Sequence, residues 1–239
     1  ASISALQATP SDGFVEQDLE MNAEQLGTEN LLQSQTPSWS IEILYGPSVS
    51  YRTFDSELNP ELVSHKNSND RSMLSANMSL MIRKYIDENW SVAAGVQTFN
   101  CGEKYSYTVN SATHNFDNAY NYISIPLEAD YRIFQKAGIS LDVGIGAQYN
   151  YLREGTSSWV DLDSSQPVTH NNKGEGSPFS ESTIGFNSDV TARYILSPLL
   201  DLIVQPRAAV FTKSLYKEET GLDQRPYALS MMVGLSADF

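Results

Sequence analysis

Residues 121–151 read NYISIPLEADYRIFQKAGISLDVGIGAQYNY and alternate strictly. One face is Ile123, Ile125, Leu127, Ala129, Tyr131 and Ile133. After a tight turn at 135–138 it continues with Ile139, Leu141, Val143, Ile145, Ala147, Tyr149 and Tyr151. The other face is Ser124, Glu128, Asp130, Arg132, Ser140, Asp142, Gly144, Gly146, Gln148 and Asn150. Period-two alternation of this length predicts a long β-hairpin. Its apolar face carries no charge over thirteen positions. Its polar face is too hydrophilic for a sheet interior without partners. A sheet with lipid outside and a packed polar lumen inside reconciles the two faces.

The same alternation recurs eight times from Trp39 onward. It predicts strands near 39–54, 74–83, 90–99, the two arms of the hairpin, 186–196, 201–211 and 227–239. The outward positions are Ile41, Ile43, Tyr45, Val49 and Tyr51; Ala76, Met78, Leu80 and Ile82; Val92, Ala94 and Val96. Beyond the hairpin they are Val190, Ala192 and Tyr194; Leu202, Val204, Ala208 and Val210; Leu229, Met231, Val233, Leu235, Ala237 and Phe239. None is charged. A Lys or Arg at mid-bilayer on such a face costs about 2–4 kcal/mol. In hydrocarbon every backbone N–H and C=O must be paired, so the sheet is expected to close on itself. The expected fold is all-β: an eight-stranded antiparallel up-and-down transmembrane β-barrel.

Connections 55–73, 100–120, 152–185 and 212–226 are long and polar, whereas 84–89, 135–138 and 197–200 are short. Short turns at one end and long loops at the other predict a bacterial outer-membrane barrel, with turns and both termini periplasmic and loops extracellular. Aromatic residues near the strand ends suggest interface girdles. They are Trp39, Trp90, Phe134, Tyr194 and Phe239 on the turn side, and Tyr51, Phe99, Tyr122, Tyr151, Phe186 and Tyr227 on the loop side. Pro47, Pro126 and Pro206 each remove a ladder hydrogen bond and are expected to mark bulges.

The inward face offers Glu42, Glu128, Asp130, Asp142 and Asp189 against Arg52, Arg83, Arg132, Arg193 and Arg207, five acids and five arginines. Eight strands enclose a lumen just wide enough for side chains to fill. Balanced, hydrogen-bonded pairs can be accommodated there, isolated charges cannot. The expectation is a structural ion-pair network and no conducting channel.

Composition refines this picture at a few points. A net charge of −14 without a basic stripe argues against nucleic acid as a partner. No run of 18 apolar residues exists, so no transmembrane helix is expected. The single cysteine, Cys101, excludes an internal disulfide and reads as a free thiol at a strand end. Residues 1–37 hold six acids (Asp12, Glu16, Asp18, Glu20, Glu24, Glu29) and neither Lys nor Arg. They read as a solvated periplasmic linker, or as a docking tail in which Val15, Leu19, Ala23 and Leu26 form a helical stripe behind Ser11 and Asp12. The chain opens at Ala1 without a leader, which implies a removed signal or the C-terminal part of a longer protein.

Candidate chemistry is sparse. His65, His114 and His170 fall one per long loop, without metal-ligand spacing. A catalytic pair from different loops would have to be drawn from them. G-x-S-x-G, P-loop and G-x-G-x-x-G signatures are absent, so neither an enzyme nor a cofactor is expected.

The segment Tyr122–Tyr131 (YISIPLEADY) resembles the Y-x-x-I-P-L strand of an outer-membrane β-barrel family widespread in Bacteroidota. The ending 225–239 (RPYALSMMVGLSADF) and the stretch 205–215 are similar to that family's last two strands. The terminal Phe239 is similar to the signal read by barrel-assembly machinery. This resemblance implies a small barrel held in outer-membrane lipid, acting as anchor, sensor or binding module. One subgroup with a similar layout comprises anti-sigma factors that span both membranes; residues 1–37 would then end its periplasmic linker. The alternative is an accessory subunit of an outer-membrane transport or secretion complex, docking through the acidic tail onto an outer-membrane or periplasmic protein. A soluble lipocalin-like barrel would need an apolar lumen and polar exterior, the reverse of the pattern found.

Overall fold

The computed structural model describes residues 39–56, 63–64, 71–109, 112–160, 167–171 and 177–239. The acidic stretch 1–37, with its helical stripe, lies outside the described residues, as does His65. The strands are β1 (Trp39–Ser56), β2 (Arg71–Tyr85), β3 (Trp90–Val109), β4 (Ala112–Lys136), β5 (Ile139–Val160), β6 (Pro167–Asn171), β7 (Ser182–Ser197), β8 (Leu200–Phe211) and β9 (Leu222–Asp238). Eight long strands form a closed antiparallel ring, in which β1 meets β9 from Ser40↔Asp238 to Ser56↔Leu222. The short β6 pairs only with the far end of β5, over Thr156–Val160. Closure of the eight long strands leaves no open edge in the ring itself, the condition hydrocarbon imposes.

Alternation sets which side chains meet lipid. On β1 the odd positions Ile41, Ile43 and Tyr45 are exposed, and the even positions Glu42, Leu44, Ser48 and Ser50 are buried. On the hairpin the exposed row runs Ile123, Ile125, Leu127, Tyr131 and Ile133 on β4, then Ile139, Val143, Ile145, Tyr149 and Tyr151 on β5. The β4 row covers eleven residues, and a crossing takes about 9–11. The hairpin turns through Ala137 and Gly138 with φ of 49° and 79°. Two consecutive positive φ values define the type I′ turn, whose twist matches that of the flanking strands.

Two expectations about the backbone are corrected. The prolines do not mark bulges. Pro47, Pro126 and Pro206 stay in register with Ala76, Gln148 and Met231. Each interrupts pairing only on its other side, facing β9, β3 and β7 respectively, and the register resumes unchanged. A ladder on one flank is enough to hold a proline in line. The register shifts fall elsewhere, between Ser72 and Ser79, at Asn121/Tyr122, at Arg132/Phe134 and at Ile195/Ser197.

The segment expected as loop 100–120 is mostly strand. β3 and β4 stay paired from Trp90↔Tyr131 to Val109↔Ala112, and β4 reaches 25 residues. This ribbon continues well past the apolar belt. Its outward positions Asn100, Gly102 and Lys104 are not apolar, so no apolar alternation announced it.

Candidate functional site

The lumen is occupied along its length. Toward the short turns, charged side chains form a chain of pairs. Arg83 Nε donates to Glu42 Oε1 at 2.6 Å, and its Nη1 donates to Ser91 Oγ at 2.9 Å and to Asp130. Glu42 also accepts from Arg193 Nη2 at 2.7 Å. Arg193 Nε reaches Asp142 Oδ2 at 3.1 Å, and Arg132 Nε takes Asp142 Oδ1 at 3.0 Å. Asp130, Arg83, Glu42, Arg193, Asp142 and Arg132 are thereby linked across β4, β2, β1, β7 and β5. At mid-height, Arg207 on β8 pairs with Glu128 at 2.7 Å and with Asp189 at 3.6 Å, and donates to Gln97 Oε1 at 2.7 Å. Buried charges are tolerable because each guanidinium meets a carboxylate and takes further hydrogen bonds.

All ten residues expected on the charged inner face point into the lumen, and every one takes part in an ion pair. The sequence reading missed one member. Arg52 pairs with Glu103, which also accepts from Gln224 Nε2 at 3.2 Å and from Asn118. Glu103 sits on the inner parity of β3 in the stretch expected to be loop. Extending β3 by four residues beyond Phe99 would have found it.

Toward the long connections the filling changes to aromatic rings. Phe99, Tyr120, Tyr122, Leu152, Phe211 and Leu215 form one buried cluster with Phe179. Ring centroids lie 5.0 Å apart for Phe99–Phe211, 5.3 Å for Tyr122–Phe211 and 5.1 Å for Tyr120–Phe179. Phe179 and Leu215 come from connections that fold inward. Ser180 N–H donates to Leu215 carbonyl at 2.7 Å, and Lys217 N–H donates to Pro178 carbonyl at 2.8 Å. Tyr216 packs tilted against Phe179 with ring centroids 4.8 Å apart, and burial pushes its hydroxyl up to about 12. The polar composition of these connections hid the two inward anchors.

The girdle expectation needs one correction in its core set. Trp39, Tyr51, Trp90, Tyr151, Tyr194, Tyr227 and Phe239 are exposed on the outer face. Tyr122 is only 2 % exposed and belongs to the plug. It shares parity with Ser124 and Pro126 and faces inward as they do. Phe99 is buried for the same reason, beside Gln97 on the inner face of β3.

Above the plug, a polar cleft of about 880 Å³ opens among the β8–β9 connection, Ser180 and the end of β1. Lys213, Lys217, Glu218, Asp223 and Arg225 line it with Ser56 and Tyr216. Among the described residues no histidine borders this cleft. His170 is exposed on β6, and His114 falls on β4. Cys101 is buried in the plug cluster, where apolar surroundings leave its thiol inert.

The sequence matches the family model of the outer membrane protein beta-barrel domain over residues 33–177. No curated protein sequence matches the chain. Among solved structures, the chain is similar to the attachment invasion locus protein Ail of Yersinia pestis, at 12% identity and a TM-score of 0.39, covering 82% of this chain and 97% of that one. It is similar to Neisserial surface protein A at 15% identity and a TM-score of 0.40, covering 82% and 97%. It is also similar to the outer membrane protease OmpT of Escherichia coli at 12% identity and a TM-score of 0.44, covering 85% and 98%.

Proposed function

Because the chain belongs to the outer-membrane protein β-barrel family, we propose that it is a non-enzymatic membrane anchor that binds or senses through its long connections. One observation carries this reading: the lumen is filled from the ion-pair network up to the aromatic plug. A filled eight-stranded barrel offers its rim as the surface for recognition. The polar cleft, lined by Lys213, Lys217 and Arg225 and by Asp55, Glu218, Glu219 and Asp223, suits a polar group.

In this reading the long connections face outward from the cell, and both termini face the periplasm. The acidic stretch 1–37 favours a second role for the same barrel, as the outer anchor of a signalling protein that crosses the periplasm, of the anti-sigma type. Docking of that stretch onto an outer-membrane complex is the competing use of the same feature.

Orientation and accessibility are tested by cysteine labelling on intact cells. The native Cys101 is buried and stays silent. A Thr220→Cys variant in the β8–β9 connection should react with a membrane-impermeant maleimide, and an Asn89→Cys variant in the β2–β3 turn should not. The reverse pattern would discard the rim reading.

A further inference from the structure

Two glycines on the inner face of β5 open the lumen floor at mid-height. A Cβ at Gly144 would stand 2.6 Å from Asp130 Oδ1 and 2.8 and 3.0 Å from the two Asp189 carboxylate oxygens. A Cβ at Gly146 would stand 2.8 Å from Glu128 Cγ and 2.9 Å from Asn187 Oδ1. The bare backbone is therefore a cradle. Over it lean two side chains from β4, Glu128 and Asp130, and two from β7, Asn187 and Asp189. All four residues are at least nine-tenths buried.

In each of these side chains one end is held and one oxygen is left over. Glu128 Oε1 accepts from Asn187 Nδ2 at 2.8 Å and pairs with Arg207. Asp130 Oδ2 is taken by Arg83. Asp189 Oδ1 accepts from Thr191 Oγ1 at 3.0 Å and from Gln205 Nε2 at 2.9 Å. The remaining oxygens are Glu128 Oε2, Asp130 Oδ1, Asp189 Oδ2 and Asn187 Oδ1. None accepts a hydrogen bond, although Asp189 Oδ2 stands 3.6 Å from Arg207 Nη2. The amide oxygen of Asn187 is the informative one. Its own Nδ2 is spent on Glu128, so Oδ1 is fixed beside the carboxylates as a neutral acceptor with nothing to accept.

The charges do not cancel here. Glu42 and Asp142 are matched by Arg193 and Arg132, and Glu103 by Arg52. Glu128, Asp130 and Asp189 are left with Arg83 and Arg207, one positive charge short. Ligand oxygens of the three carboxylates lie within 4.8 Å of one another.

We infer that Glu128, Asp130, Asp189 and Asn187 form a buried site for one hard cation of the calcium type. Oxygen donors, three of them anionic, are the donor type of calcium, and bidentate carboxylates or water would complete its usual shell of about 6–8 oxygens. Its bond lengths of about 2.3–2.6 Å let opposite ligands stand up to roughly 5 Å apart, wider than magnesium allows. Such an ion would join β4 to β7 across the glycine floor of β5, its two charges turning the local balance from one negative to one positive.

The test is equilibrium dialysis of the full chain, refolded in detergent micelles with radioactive calcium and checked for folding by heat-dependent gel migration. One calcium per barrel is expected. Asn187→Ala, which keeps every charge, and Gly144→Ala, which fills the cradle, should each weaken binding at least tenfold. Asp117→Asn, on the exposed ribbon, should leave it unchanged. Absence of a saturable site of unit stoichiometry would overturn the proposal, the excess charge then being carried by a shared proton. Equal binding by wild type and the Asn187→Ala variant would also overturn it, placing the calcium on the acidic exterior. Should Gly144→Ala fail to fold, Asn187→Ala alone decides.

Discussion

At the turn side of the lumen guanidinium groups meet carboxylates; at the loop side the same cross-section is filled by aromatic rings, with the Arg52–Glu103 pair among them. Both fillings fit an eight-stranded ring, but they fail differently. An ion pair is all or nothing: removing one partner strands a buried charge. A ring removed from a cluster leaves a cavity whose cost depends on how far its neighbours relax. A slip of register would strand buried charges at the ionic end, and the aromatic end fills the barrel below the polar rim.

The difference is broken most severely at Glu42, the acceptor shared by Arg83 and Arg193. A Glu42→Leu substitution should destabilise the barrel by about 3–5 kcal/mol, because two buried guanidinium groups lose a common partner. Urea titration of the barrel in micelles, followed by tryptophan fluorescence, measures it. At the other end, Phe211→Ala should cost about 3 kcal/mol. The two sites share no contact, so the double variant should lose the sum within about 0.5 kcal/mol. A strong departure from the sum would mean that the two fillings act as one unit.

A pH titration separates the ends without mutating the ionic one. The Tyr216 hydroxyl, ordinarily near 10, is raised to about 12 by burial. The folded plug favours its neutral form. This contribution to stability is complete below pH 10 and is lost as pH rises toward 12. Ultraviolet difference absorbance should show one late-titrating tyrosine fewer in Tyr216→Phe than in the wild type. The smallest effect belongs to the exposed ribbon. Lys104 and Asp117 pair at 2.7 Å with both side chains about half exposed, and Lys104→Ala should change stability by less than about 1 kcal/mol.

The sequence announces burial, and it does so well wherever one face of a strand is dry and the other is not. Ile123 to Ile133 and Ile41 to Tyr45 could be assigned to lipid because every second residue is apolar. The inner charges were legible by the same parity. Where that contrast ends, so did the reading. Beyond Phe99 the outward row of β3 turns polar (Asn100, Gly102, Lys104), so the contrast between faces fades and Glu103 was left in a loop although it is buried. Tyr122 was misplaced by residue type, since an aromatic near a strand end invites a girdle, although its parity with Ser124 points inward. Phe179 and Leu215 reach the plug through folding of connections, which no periodicity encodes. Gly144 and Gly146 looked like small polar-face residues; their meaning lies in the four oxygens that lean over them.

The central claim is a sealed barrel, and single-channel recording in planar lipid bilayers tests it most directly. The refolded full chain, shown to be folded by heat-dependent migration, should insert without stepwise conductance, because ion pairs and rings fill the lumen in series. Phe211→Ala should remain silent as well, since the ionic end still blocks the path. Reproducible open-channel steps from the wild-type protein would contradict the account and return the charged lumen to a conducting role.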